Sequence, residues 1–235
     1  MHKKRKNSKK IKKNNYRKEK KNMFEISKYI QKDANYNKIM ELQIKNIPEG
    51  TKPRLLLHCC CAPCSSHCLS VLSEYFHITA YFYNPNITEY EEYMKRWGEL
   101  VRFVDNVYHD EVGTFLEEHE SEKFLEMSKG LEEVPEGGSR CYKCYRLRLD
   151  KSAAYAVSHG YDYFTTTLSI SPHKNSAWLN EIGRELEQEY KIPYLYSDFK
   201  KKNGYKHSIE LSHEYGLYRQ NFCGCEFSKA NSQKN

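Results

Sequence analysis

The stretch LLLHCCCAPCSSHC, residues 55–68, sets five of the chain's nine cysteines between an apolar run and a segment of helical character. Arg54–His58 has the length and leucine content of a buried strand, the cysteines behind it read as a loop, and SSHCLSVLSEYF reads as a helix with Ser65 at its N-cap. A buried strand that passes at once into a helix is the opening of a βαβ unit. That opening constrains the whole chain, because such units assemble parallel sheets covered by helices.

The rest of the sequence repeats the alternation. NYNKIMELQIKN reads as a short amphipathic helix ended by IPEGTKP, and HITAYFYNPN as a second strand closed by a turn at Asn84-Pro85. TEYEEYMKRWGELVRFVDNV is a long amphipathic helix in which Thr88 and Glu91 match a capping box, and residues 114–132 suggest further helix. After the loop PEGGSR, Cys141 to His159 is helical with Gly160 as its stop; YDYFTTTLSI is a strand, NSAWLNEIGRELEQEY a helix and IPYLY another strand. The expectation is an α/β fold, a mostly parallel sheet with flanking helices and some added ones. In such sheets ligands bind beyond the carboxyl ends of the strands, so the loops CCCAPC, SISPHKN and SDFKKKNGY should share one edge.

Three segments are expected: a basic disordered tail (1–22), a helical N-terminal extension (23–50) and an α/β catalytic domain (51–230). The tail carries a dense run of Lys and Arg against the single acid Glu19, so the remainder of this net +7 chain is acidic on balance. Such a tail suits loose attraction to phosphate backbones, or simply reflects a Lys/Asn-rich composition. With 39% hydrophobic residues over 235, the chain has material for one core with decorations. No run approaches the about 18 apolar residues of a membrane span, and the basic start lacks the apolar stretch of a signal peptide. A cytoplasmic location without a membrane partner follows, and there nine cysteines serve better as metal ligands, redox groups or buried thiols than as a disulfide framework.

Each cysteine cluster has its own chemistry. In extended backbone Cys60 and Cys61 point to opposite sides, which suits two different metals of a polynuclear site better than one ion. CYKC places Cys141 and Cys144 at i and i+3 at the start of a helix, a spacing suited to zinc or an iron–sulfur cluster, where amides also favour thiolates. If the clusters meet, Cys60, Cys61, Cys141 and Cys144 form a ligand set with Cys64 nearby; the competing reading is a core of buried thiols. Cys59 and Cys68 read as small buried residues. In NFCGCEFS, a disulfide between Cys223 and Cys225 would close a very small, easily reduced ring, suiting the pair to storing two electrons; zinc ligation or an inert pair are the alternatives. Ser171, His173, Lys174 and Asn175, with Asp198, Lys200, Tyr218 and Arg219, supply groups suited to sugar and phosphate contacts.

LLLHCCCAPCS, CYKCYRLRL, TTTLSISPHKN, SDFKKKNGY and YRQNFCGCEFS, in this order over about residues 54–228, resemble the consecutive motifs of the epoxyqueuosine reductase QueH family. The resemblance implies a HUP-like (adenine-nucleotide α-hydrolase-like) fold. It implies an oxidoreductase that removes the epoxide oxygen of epoxyqueuosine in the tRNA anticodon loop, giving queuosine, with electrons from an unidentified donor. It further implies a [4Fe–4S] cluster with an adjacent metal ion, for which iron is the candidate, metal-binding roles for Cys60, Cys61, Cys141 and Cys144, and a redox-active disulfide of Cys223 with Cys225. Cys64 falls where some members have Asp, and the Cys61 and Cys64 side is where a metal is expected to meet the epoxide oxygen. The lysines of KKKNG and the basic tail are expected to steer tRNA.

Two rival classes make different demands. An ATP-dependent tRNA-modifying enzyme of the same superfamily needs a Gly/Ser-rich phosphate loop after its first strand, where this chain has the glycine-free HCCCAPCSS. A zinc-stabilised nucleic-acid-binding module would use the cysteines structurally and be colourless and redox-silent.

Overall fold

The structure, a computed structural model, describes residues 34–232. The expected tail and the first part of the helical extension therefore lie outside the described residues. Four strands, β1 (Arg54–His58), β2 (His77–Phe82), β3 (Val112–Leu116) and β4 (Tyr163–Thr166), form one sheet in the order β3-β2-β1-β4, and every neighbouring pair is parallel. This is the expected α/β architecture of HUP-like type. Among the described residues no helix is long and apolar enough to cross a membrane.

The period-two geometry of β1 explains its unbroken leucines. Leu55 and Leu57 point into one core with Leu69 and Leu72 of α2 (Ala62–Leu72) and Leu100 and Phe103 of α3 (Tyr90–Tyr108). Leu56 points into the other, with Leu149 and Ala153 of α5 (Ser139–Ser158) and Leu179 and Ile182 of α6 (Ser176–Tyr190). Both faces of the central strand are thus covered. The short α4 (Ser121–Ser128) precedes α5, while α7 (Gly204–Glu214) and α8 (Glu226–Ser232) follow in the part of the chain to which the sequence reading assigned no helix.

The chain steps outward from β1 to β2 and β3, then returns to the other side of β1 as β4. The loops leaving β1 and β4 therefore diverge at a topological switch point, the position where open α/β sheets form their ligand crevice.

Several local expectations change. Residues 112–116 form the edge strand β3, which takes the first residues of the expected helix 114–132, and only α4 within that range is helical; Val112 alone of the strand is buried, so no apolar run marks it. α2 starts at Ala62 with Pro63 in its first turn, leaving Ser65 inside the helix with its Oγ donating to the Cys61 carbonyl at 2.8 Å. Thr88 and Glu91 form no capping box, since Glu89 occupies the cap position of α3 without a side-chain bond. IPYLY contributes a single parallel bridge, Phe164 to Tyr194. Beyond it Gln43 of α1 (Tyr36–Lys45) takes the place of a strand: its Nε2 donates to the Tyr194 carbonyl at 2.9 Å, and its Oε1 accepts from the Tyr196 amide at 2.9 Å.

Candidate metal and redox centre

The loop after β1 gathers three thiols. The sulfurs of Cys60, Cys61 and Cys64 all lie within 4.8 Å of one another, and those of Cys60 and Cys61 are 3.7 Å apart. The expectation that Cys60 and Cys61 diverge fails because strand geometry ends at His58: the chain bends at Cys60, and Cys61 is already the residue that leads into α2. Hydrogen bonds from the Cys61 and Cys64 thiols hold Cys60 well below the ordinary thiol value against burial, with Arg148 adding to the effect. The reciprocal contact with Cys60 pushes Cys61 up to about 12 and Cys64 well above its usual value. Among the three sulfurs, hydrogen bonding by the other two favours the charged form at Cys60. Cys59 and Cys68 are buried as expected, their thiols donating to the carbonyls of Leu57 and Cys64.

The second cluster opens α5. Cys141 Sγ accepts the Gly137 amide at 3.3 Å, and at the next residue, Gly138, a Cβ would lie 2.5 Å from Val134 Cγ1. Cys144 is buried in a small cluster with Phe124 and Cys225, and burial pushes its thiol up to about 11 although Arg148 opposes the shift. Cys141, Cys144, Cys223 and Cys225 stand outside the 4.8 Å group.

The third cluster is held from both sides. Lys174 Nζ donates to Cys223 Sγ at 3.1 Å. Burial works against the Lys174 charge, yet the neighbouring Cys223 and Tyr145 keep its pKa well above the ordinary lysine value. Arg96 Nη1 donates to the Cys223 carbonyl at 3.1 Å while its Nε pairs with Glu92 at 2.6 Å, and Asn86 Nδ2 reaches the same carbonyl at 3.4 Å. Gly224 between the cysteines has φ +115, and a Cβ there would meet Ile87 Cγ1 at 2.7 Å. Cys223 and Cys225 are both free thiols, which departs from the expected disulfide; burial pushes Cys225 up to about 12, and its sulfur accepts the Ser228 amide at 3.4 Å.

A cavity of about 450 Å³ joins the first and third clusters at the switch point, lined by Cys60, Cys64, Arg148, Lys174, Phe222 and Cys223 among others. Ser171, His173 and Arg219 also line it. Asn175 instead caps α6, its Oδ1 accepting from the Trp178 amide at 3.1 Å. Asp198 is buried and pairs with Lys200 at 2.7 Å, and Tyr218 donates to Glu92 at 3.3 Å. Lys201 and Lys202 line a separate cavity of about 620 Å³ beside α1 and α2. Sequence reasoning missed Arg96, Arg148, Asn84 and Asn86; the one available signal was the position of Arg148 one turn beyond Cys144.

The donor set fits a soft, thiolate-preferring metal: three converging sulfurs, one of them favoured as thiolate, with a buried guanidinium alongside. The family model of epoxyqueuosine reductase QueH matches residues 55–231, which include all three cysteine clusters. The chain belongs to the epoxyqueuosine reductase QueH family. Among QueH relatives, the Staphylococcus epidermidis protein is 41% identical over 210 residues, covering 86% of this chain and 88% of the relative. The Streptococcus pyogenes protein is 43% identical over 198 residues, covering 83% and 78%, and the Thermotoga maritima protein 35% over 181 residues, covering 74% and 89%. Each carries the name epoxyqueuosine reductase QueH.

Proposed function

We propose that this chain is an epoxyqueuosine reductase acting in the cytoplasm on tRNA that carries epoxyqueuosine in its anticodon loop, where it removes the epoxide oxygen to give queuosine. The observation that carries the reading is the single cavity in which the Cys60 and Cys64 sulfurs face the Lys174-paired Cys223. A thiol set able to hold a metal and the Cys223 end of the dithiol share one reaction space of nucleoside size.

Cys60, Cys61, Cys141 and Cys144 would hold a [4Fe–4S] cluster, with Cys64 directed at an adjacent iron. When bound, that group supplies electrons one at a time and a Lewis-acidic site for the departing oxygen. The protein's own groups complete the balance. Converting the Cys223/Cys225 dithiol to a disulfide releases two electrons and two protons, and reduction of the epoxide to an alkene and water consumes two of each. Lys174 Nζ, 3.1 Å from Cys223 Sγ, holds a proton where the thiol must lose one. A separate dithiol- or iron-based donor then restores the pair. Ser171, His173 and Arg219 at the cavity wall offer contacts to sugar and phosphate.

The test is anaerobic reconstitution with iron and sulfide, followed by incubation with a reductant and tRNA bearing epoxyqueuosine and nucleoside analysis of the product. Queuosine appearing in proportion to enzyme turnover supports the reading. An iron-loaded protein that leaves epoxyqueuosine intact overturns it. The zinc-module alternative gives Cys223 and its lysine partner no task.

A further inference from the structure

We infer that Arg148 is a positioning residue that supplies the buried counter-cation of the thiolate centre and ties its two cysteine-bearing elements together. Cys141, Cys144 and Arg148 follow at i, i+3 and i+7 on α5 and so share one helix face. Arg148 is 1% exposed, and its Nη2 donates to Asn84 Oδ1. Asn84 is fully buried, and its Nδ2 donates at 2.9 Å to the Cys59 carbonyl, next to Cys60. A side-chain strut therefore runs from the helix of the second cysteine cluster to the loop of the first.

The charge of that strut has no carboxylate partner. Among the described residues Arg148 forms no ion pair with Asp or Glu, whereas the equally buried Arg96 pairs with Glu92 at 2.6 Å. Arg148 Nε is buried and has no hydrogen-bond partner. An uncompensated buried cation is strongly unfavourable, so its compensation has to come from neighbouring anions. The neighbours are sulfurs: Arg148 shares the cavity wall with Cys60 and Cys223. The Cys60 sulfur becomes such an anion when it ligates a metal. Sulfurs of the first and third clusters thus share the cavity wall with the guanidinium, and Cys144 of the second lies one turn before it on α5.

The consequence rests on the reading of these cysteines as an iron–sulfur site. Reduction adds negative charge to such a centre, and a fixed cation beside it favours the reduced form. Removing the cation must make the midpoint potential more negative. The experiment reconstitutes the wild type, Arg148→Gln, Arg148→Lys and Asn84→Asp anaerobically, then measures iron and sulfide per chain and the midpoint potential by a spectroscopic redox titration. Arg148→Gln is expected to shift the potential downward and Arg148→Lys to restore most of the shift. Asn84→Asp keeps the side-chain shape but sets a carboxylate against the guanidinium, and is expected to lower the potential too; it decides the matter if Arg148→Gln fails to fold. A loaded Arg148→Gln or Asn84→Asp protein with the wild-type potential overturns the inference alone. A wild type that takes up no iron and sulfide overturns the iron–sulfur reading and this inference with it, and the wild-type sample by itself reveals that case.

Discussion

The Lys174 ammonium stands 3.1 Å from the Cys223 sulfur and joins the segment after β4 to the Cys-Gly-Cys loop 49 residues further along the chain. The lysine is buried, so the contact is shielded from water and salt in a way that a surface pair is not. Its raised pKa means that the lysine charge beside Cys223 is fully present below the unfolded value of about 10.4 and is lost only as pH rises through the folded value. Lys174→Met should therefore slow alkylation of Cys223 and lower reductase turnover by about tenfold or more at neutral pH, in keeping with the ~1.5–3 kcal/mol of a hydrogen bond to a charged group. Thiol labelling read by peptide mass spectrometry checks the first effect and a tRNA assay the second.

Cys64 separates a ligand from a bystander. With its sulfur inside the 4.8 Å group, Cys64→Ala is expected to lose at least about tenfold in activity and part of the bound iron, while Cys64→Asp, which keeps an anionic donor, retains more of both. Metal analysis beside turnover measurements decides it, and full activity in Cys64→Ala would remove Cys64 from the site.

Gly224→Ala tests the backbone of the dithiol loop. At φ +115, with Ile87 Cγ1 only 2.7 Å from a built Cβ, the substitution should cost about 1–3 kcal/mol of stability, measured by urea unfolding. An unchanged midpoint would show that the loop accommodates a side chain.

The imidazoles of His67 and His207 meet at 2.9 Å between Nδ1 atoms, so at least one must be neutral at Nδ1 and accept. Burial, and then His207, lower the His67 pKa from 6.5 to about 4. A base whose folded pKa is depressed binds fewer protons when folded, so its contribution is present above pH 6.5 and is lost as pH falls towards about 4. Thermal unfolding should show Tm falling across that window, with a shallower slope in His67→Gln. Equal slopes would remove the pair from the acid response.

If the basic residues 1–22 steer tRNA, deleting them should weaken binding and flatten the dependence of affinity on salt. Filter binding at several salt concentrations checks this, and an unchanged slope would leave the segment without that role.

The readable parts of this fold were those written in local patterns. The leucines of β1 announced a strand covered on both faces, and the CxxC of α5 announced two sulfurs on one turn. β3 escaped because an edge strand with one buried residue carries no apolar signature, and α1 occupies an edge where IPYLY promised a strand. Within the site, the convergence of Cys60 and Cys61 depends on a bend, which alternation cannot express. Arg96 and Arg148 escaped for another reason. A charged residue on a helix reads as solvated, and what buries these two are contacts 127 residues away at Cys223 and 64 residues away at Asn84.

Gln43 has a consequence for how copies of this chain can meet. By taking up the Tyr194 carbonyl and the Tyr196 amide, it occupies backbone groups that another strand would need on that flank, leaving β3 as the flank with no outer strand among the described residues. A molecule with one sticky margin can join a twin but cannot polymerise through its sheet, so growth by that route ends at two.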